Sequence, residues 1–173
     1  EAQNLTDEQR THVALVKQRS EDLLALINDI LDFSKIEAEK LELHLEDVGL
    51  RRVLADAVRT TELAARTKGL ALGARVDEEV PDAVQADPLR LRQVLVNLLS
   101  NAVKFTERGE VECRVLPWRG EPIARRAGVG EVAVHVVVRD TGIGIPEDRL
   151  QAVFEPFQQA DGSLAKRFGG TGL

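Results

Sequence analysis

The chain has 173 residues, about one average domain with a small addition. A single cysteine excludes an intrachain disulfide framework and any cysteine-cluster zinc site, and a net charge of −6 without a basic, aromatic-bearing stripe argues against a nucleic-acid surface. The 43% hydrophobic share suffices for a core at this length, but with 3% aromatics that core has to be built from Leu, Val, Ile and Ala.

No apolar run approaches the roughly 20 residues of a membrane span, and no secretory h-region opens the chain. The expectation is a soluble, cytoplasmic segment without membrane contact of its own, with a membrane anchor in its parent left open. There is no Met and the chain opens on Glu1, so it reads as a piece of something longer.

The first element is one long helix. Thr6-Asp7-Glu8-Gln9 fits a capping box, and Val16, Leu23, Leu24, Ile27, Ile30 and Leu31, extended by Phe33 and Ile36, place an apolar seam along it to about Lys40. A seam of that length calls for partner helices, as in a bundle. Leu41, Leu43 and Leu45 alternate with Glu42, His44 and Glu46, the pattern of a half-buried strand that Asp47-Val48-Gly49 ends. Leu50 to Lys68 is helical again, with Val53, Leu54, Ala57, Val58, Leu63 and Ala64 on one face and Gly69 closing it. Leu70 to Val76 is a strand, Asp77 to Pro81 a turn, and Asp87-Pro88 opens a helix running to about Lys104. That helix is very apolar, with Leu91, Val94, Leu95, Leu98 and Leu99. A strand over Glu110–Leu116 and a loop over Pro117–Gly130 follow. Val132–Arg139, nearly all apolar and β-branched, reads as a central strand. The fold class is α+β, a mixed sheet with helices on one face, preceded by the bundle helix.

Three segments carry chemistry. Asp140-Thr141-Gly142-Ile143-Gly144 leaves the end of a strand, where an Asp can accept from an exocyclic amine and glycines let backbone approach a flat ring or a phosphate. It lacks the third glycine of a dinucleotide fingerprint and the Gly-Lys-Ser/Thr of a P-loop; alone, it is equally an ordinary turn. In Asn97-Leu98-Leu99-Ser100-Asn101-Ala102-Val103-Lys104, Asn97, Asn101 and Lys104 share one helix face with the flanking leucines turned to the core. Hard amide oxygens and an ammonium suit a metal–phosphate ligand, though a solvated face has the same pattern. Phe168-Gly169-Gly170-Thr171-Gly172-Leu173 offers backbone N–H groups and a hydroxyl as a phosphate nest, or else a flexible tail.

Taken together these segments resemble the sensor histidine kinases of two-component signal transduction. The stretch Asp87-x-x-Arg90-x-Arg92-Gln93-Val94-Leu95-x-Asn97-Leu98-Leu99-x-Asn101-Ala102-x-Lys104-Phe105-Thr106 resembles their N box, and Asp140-Thr141-Gly142-Ile143-Gly144-Ile145 their G1 box. Phe154-Glu155-Pro156-Phe157 is similar to the F box and Gly169-Gly170-Thr171-Gly172-Leu173 to the G2 box. The opening Leu23 to Ala38 is similar to the second helix of the dimerisation and histidine-phosphotransfer bundle.

The resemblance implies an ATP-binding α/β sandwich over residues 41–173 and part of a dimerisation bundle over residues 1–40. It implies Mg²⁺ held by Asn101, phosphate contacts from Asn97 and Lys104 beside Phe105, and the adenine amine on Asp140 with Gly142, Gly144 and Ile145 around it. Residues from about Ile145 to Thr171 would form an ATP lid anchored by Phe154 and Phe157, with Gly170, Thr171, Gly172 and Leu173 at the phosphates. The implied partners are a response-regulator receiver domain, whose Asp takes the relayed phosphoryl group, and a second copy of the parent. Related ATPases of gyrase and MutL type carry Glu at the position of Asn97; an amide has no basic lone pair for the hydrolytic proton, which favours transfer over hydrolysis. None of the three histidines fits the family's phosphoacceptor motif. His12 reads as a helix-surface residue, His44 as a solvent-facing strand residue and His135 as a packed strand residue. The chain alone is therefore not expected to autophosphorylate. A nucleotide-binding or dimerisation module without catalysis, and a superfamily ATPase, are the alternatives.

Overall fold

The computed structural model describes residues 5–120 and 132–150. The first helix, α1, spans Asp7–Glu37. Its capping box forms as the sequence suggests: Gln9 N–H donates to Thr6 Oγ1 at 3.2 Å and Thr6 N–H donates to Gln9 Oε1 at 2.9 Å. The other end closes without glycine. Glu39 takes φ 53°, its N–H donating to Ile36 O and that of Lys40 to Lys35 O. This is a Schellman turn in which a glutamate carries the left-handed conformation, at a cost of about 1–2 kcal/mol. The seam of α1 lies largely open, from 43% exposure at Ile30 to 65% at Val16, with Phe33 half-buried.

Leu43–Pro146 forms a second compact unit. It runs β1 (Glu46–Gly49), α2 (Leu50–Thr67), β2 (Ala71–Val76), β3 (Ala83–Ala86), α3 (Pro88–Phe105), β4 (Glu110–Pro117) and β5 (Val134–Asp140). The strands β2, β4 and β5 make a mixed sheet in that order, β2 parallel and β5 antiparallel to β4, and β1 pairs antiparallel with β3. Helices α2 and α3 pack on each other and on the sheet. Period 2 along β4 puts Val111, Cys113 and Val115 under the helices, against Leu54, Ala57, Leu95 and Leu99. Each leucine so buried stabilises the fold by about 1.5–3 kcal/mol. Cys113 behaves as a small hydrophobe, its thiol pushed up by burial.

Four expectations are corrected. Residues 41–45 form no strand, and β1 begins only at Glu46 because its partner, β3, reaches no further than Ala86; Leu43 and Leu45 stay exposed. On α2 the buried stripe is Leu50, Leu54, Ala57, Thr61 and Ala65, which turns Leu63 outward at 77% exposure and leaves Ala64 exposed too. On α3 the core takes Leu95 and Leu99, with Leu91 half-buried, while Val94 and Leu98 remain on the outer face. Among the described strands the middle of the sheet is β4, whose inward side chains are fully covered, and β5 is only half-buried.

Asp87 sets the start of α3. Its carboxylate accepts the Arg90 N–H at 3.0 Å and the His44 N–H at 3.1 Å, and Pro88 at the first helical position removes an N–H that would have had no partner. These N–H donors, that of Arg90 foremost, hold the Asp87 carboxyl below the usual carboxylate range. A depressed carboxyl stabilises the fold above the ordinary value, about 3.9, and that contribution is lost as pH falls through the folded value. Asp87→Ala should therefore lower the thermal midpoint at neutral pH, and the gap to the unmodified chain should close in acid. Melting curves across this range check it; a gap that persists undiminished at low pH overturns it.

Candidate nucleotide site

The site lies where the end of α3 meets the end of β5. Val134, Val136 and Val138 of β5 lean on the core. Period 2 then gives Asp140 the same face, opposite Val111 in register. Asp140 Oδ1 accepts the Gly142 N–H at 2.8 Å, an Asx turn that bends the chain toward α3. There the Ile143 N–H donates to Phe105 O at 3.3 Å.

The two glycines of this turn are needed for different reasons. A Cβ on Gly142 would stand 2.5 Å from Phe105 O and 2.8 Å from Asp140 Oδ1, so the first glycine permits contact between two parts of the protein's own backbone. Gly144 has open space around it but takes φ 69°, so the second serves conformation. Thr141, which sequence reasoning gave no role, fastens the turn to β4. Its Oγ1 accepts the Glu110 N–H at 3.0 Å, and its own N–H donates to Glu110 O at 3.2 Å. Only the pairing of β4 with β5 reveals that role, since position 141 is 31 residues from its partner.

On the outer face of α3, Asn101 lies one turn and Asn97 two turns before Phe105. Both asparagines are exposed. Asn101 Nδ2 donates to Asn97 Oδ1 at 3.2 Å, which orients both amides and leaves the Asn101 amide oxygen with no protein donor among the described residues. Lys104 is half-buried, its Nζ 5.0 Å from the centroid of the Phe105 ring. Burial lowers its pKa, and it has no carboxylate partner among the described residues. Val94 and Leu98 share this face. Ile143 and Ile145, each 50% exposed, flank Gly144.

The structure thus brings Asp140, Gly142, Ile143 and Phe105 into direct contact, sets Lys104 against Phe105, and pairs Asn97 with Asn101. Phe154, Phe157, Gly170, Thr171, Gly172 and Leu173 lie outside the described residues. His12 is exposed on α1, and His44 is exposed in an irregular segment rather than a strand. His135 is also exposed rather than packed in the core, edge-on to Trp118 at 5.6 Å. Among the described residues no three His, Cys, Asp or Glu side chains gather as a metal site, and no helix is long and apolar enough to cross a membrane.

A mixed sheet under two helices is a fold that this chain shares with histidine kinase ATPase structures. Residues 86–173 match the model of the histidine kinase-, DNA gyrase B- and HSP90-like ATPases. The chain belongs to that family, as a catalytic domain of the sensor histidine kinase type. It is 43% identical over 169 residues to the signal transduction histidine-protein kinase BarA of Escherichia coli K12, covering 98% of this chain and 18% of BarA. To the sensor protein GacS of Pseudomonas syringae pv. syringae it is 42% identical over 170 residues, covering 98% of this chain and 18% of that protein. Among solved structures, full-length ShkA in complex with AMPPNP superposes with a TM-score of 0.73 at 34% identity, over 94% of this chain and 32% of that one. The chain therefore spans under a fifth of the length of BarA and GacS.

The two glycines should respond differently to substitution. Gly142→Ala pushes the turn off α3, and we expect a loss of about 1–3 kcal/mol in stability together with lost exchange protection at the Ile143 amide. Gly144→Asn, a residue tolerant of left-handed backbone, should keep that protection. Equal behaviour of the two variants in amide hydrogen exchange counts against this division of roles.

Proposed function

We propose that this chain binds Mg-ATP and, within its parent protein, presents the γ-phosphoryl group to a histidine for relay to the aspartate of a response-regulator receiver domain. The observation that carries this reading is the α3 face: an amide oxygen of Asn101 left without a protein donor among the described residues, oriented by Asn97, one turn from a Lys104 with no carboxylate partner among them. A bound Mg²⁺ would neutralise phosphate charge. An amide oxygen is a hard ligand fit for that ion, which characteristically shares its coordination between one or two protein groups, water and substrate phosphates. Lys104 adds a point charge for phosphate. Asp140 has one carboxylate oxygen held by Gly142, leaving the other for an adenine amine, with Gly142, Gly144, Ile145 and Phe105 around it.

The rest of the site in this reading comes from Phe157 and Phe154 as anchors of a lid, and from Gly170, Thr171, Gly172 and Leu173 at the phosphates. The amide at Asn97 cannot take a proton from water, so transfer to a side chain is favoured over hydrolysis. Residues 1–40 act as part of a bundle that joins two copies of the parent, which the open seam of α1 supports. Residues 41–173 act as the catalytic domain, on the cytoplasmic side.

Titration with a non-hydrolysable ATP analogue, with and without Mg²⁺, tests the reading. Saturable binding strengthened by Mg²⁺ is expected, and Asn101→Ala should remove most of the Mg²⁺ effect. Lys104→Ala should weaken binding about tenfold or more, the loss of a charged hydrogen bond worth about 1.5–3 kcal/mol. No saturable binding would overturn the reading, and steady phosphate release abolished by Asn97→Ala would replace transfer with hydrolysis. Because His12, His44 and His135 lack the acceptor motif, labelled Mg-ATP should leave no acid-labile phosphohistidine on this chain.

The lowered pKa of Lys104 adds a pH dependence. The ammonium is lost on the alkaline side at a lower pH than for an ordinary lysine. Analogue affinity should accordingly start to fall below the usual lysine range. In Lys104→Arg, whose guanidinium stays charged, the fall should be absent. Parallel titrations of the two proteins across alkaline pH decide it.

A further inference from the structure

We infer that Lys68, the C-cap residue of α2, is a positioning residue for the nucleotide site; the inference rests on the proposed function. Lys68 caps its own helix with its backbone N–H, on Ala64 O and Ala65 O. Its side chain does something else. The ammonium donates to Val103 O at 2.7 Å, Lys104 O at 2.7 Å and Thr106 O at 3.2 Å. An ammonium has three N–H donors, and here each has a carbonyl at the end of α3.

The carbonyls of this terminus can be accounted for one by one. Ala102 O accepts the Thr106 N–H at 3.1 Å and the Thr106 hydroxyl at 2.8 Å. Val103 O, Lys104 O and Thr106 O take Lys68. Phe105 O takes the Ile143 N–H. A helix leaves its last carbonyls without internal partners, and a cation there also meets the negative end of the helix dipole. Of these five carbonyls Lys68 therefore holds three, and the two residues between Val103 and Thr106 are Lys104 and Phe105.

Lys104 is the phosphate-facing cation of the proposed site, and the carbonyl of Phe105 is the anchor of the Asp140–Gly144 turn. Removal of the Lys68 ammonium hands three carbonyls to water and lets the last turn of α3 fray. The orientation of Lys104 and the Ile143 bond to Phe105 would loosen together. The Lys68 side chain makes no hydrogen bond to Asn97, Asn101 or Asp140, so it acts on the site through the end of α3.

The test compares the unmodified chain with Lys68→Met, Lys68→Arg and Val48→Ala. Val48 is buried in the β1–β3 pair, which leads into the opposite end of α3, and serves as a variant that loses stability without touching the last turn. In amide hydrogen exchange, Lys68→Met should speed exchange at Ile143 and Thr106 about tenfold or more while the amides of β4 keep their protection. Lys68→Arg, which retains charge and donors, should restore much of it, and Val48→Ala should not produce this local pattern. For a non-hydrolysable ATP analogue with Mg²⁺, Lys68→Met should lose about tenfold in affinity at a temperature where its circular dichroism is that of the folded chain, with Val48→Ala unchanged. If Ile143 exchange and affinity in Lys68→Met match the unmodified chain, or simply track global stability as they do in Val48→Ala, Lys68 has no positioning role. The exchange measurement needs no nucleotide. A chain that failed to bind the analogue at all would overturn the proposed function and leave exchange alone to decide the role of Lys68.

Discussion

The last turn of α3 presents carbonyl groups that the helix cannot pair for itself, and satisfying them is the constraint on which the site depends. The donors come from three directions: Thr106 at the helix's own end, Lys68 from the end of α2, and Ile143 from the turn after β5. Segments separated by some 35 residues on either side are thereby held to one helical turn. A single backbone requirement, that buried or half-buried carbonyls find donors, ties the helical layer to the sheet at the point where the nucleotide site is proposed. The faces of α2 and α3 are packed in the core, but packing alone is non-directional. The carbonyl bonds give the end of α3 a defined orientation.

A contrast between committed and uncommitted polar groups follows. Among the described residues no buried side-chain nitrogen or oxygen lacks a hydrogen-bond partner. Asp87 is committed to the start of α3, Thr141 to β4, and one oxygen of Asp140 to Gly142. Against that background the Asn101 amide oxygen and the Lys104 ammonium differ, since both are held in place by neighbours without being neutralised by them. Lys104 lies on an aromatic ring and partly out of water, an environment that keeps the charge available to a ligand and makes it easier to lose in alkali. In the proposed site, the groups offered to a nucleotide would thus be held in place before it binds.

The parts of the fold legible in the sequence are those set by neighbours within one turn of the chain. Thr6 with Gln9, Asp87 with Pro88, and the glycines of the Asp140 turn announce themselves because capping and turn chemistry are local. Where a long-range partner decides, sequence pattern misleads. The alternation of Leu41, Leu43 and Leu45 is that of a strand, yet pairing with β3 begins only at Glu46. Leu98 lies about a quarter-turn from the buried stripe of α3 and Leu63 about half a turn from that of α2, where small residues such as Ala57 and Ala65 line the contact instead. The valine run of β5 suggests the middle of a sheet, a position taken by β4 among the described strands. For the proposed site, residue types and spacing nominate Asn97, Asn101, Lys104 and Asp140. Thr141 and Lys68 were invisible, because their partners are other elements' backbone atoms, which no residue type encodes.

The direction of Asp140 has a consequence for how this chain tolerates length changes. Its side chain faces the helices only because it sits an even number of residues from Val136 and Val138, which are anchored in the core. An odd insertion or deletion between those valines and the turn would invert the parity. The carboxylate would then face the opposite side of the sheet with its chemistry intact and its location lost. Length variation is far better absorbed in the connection between β4 and β5, outside the paired stretch. The segment Val136–Asp140 is thus constrained in count as well as in content, and a substitution there is a milder change than the loss of one residue.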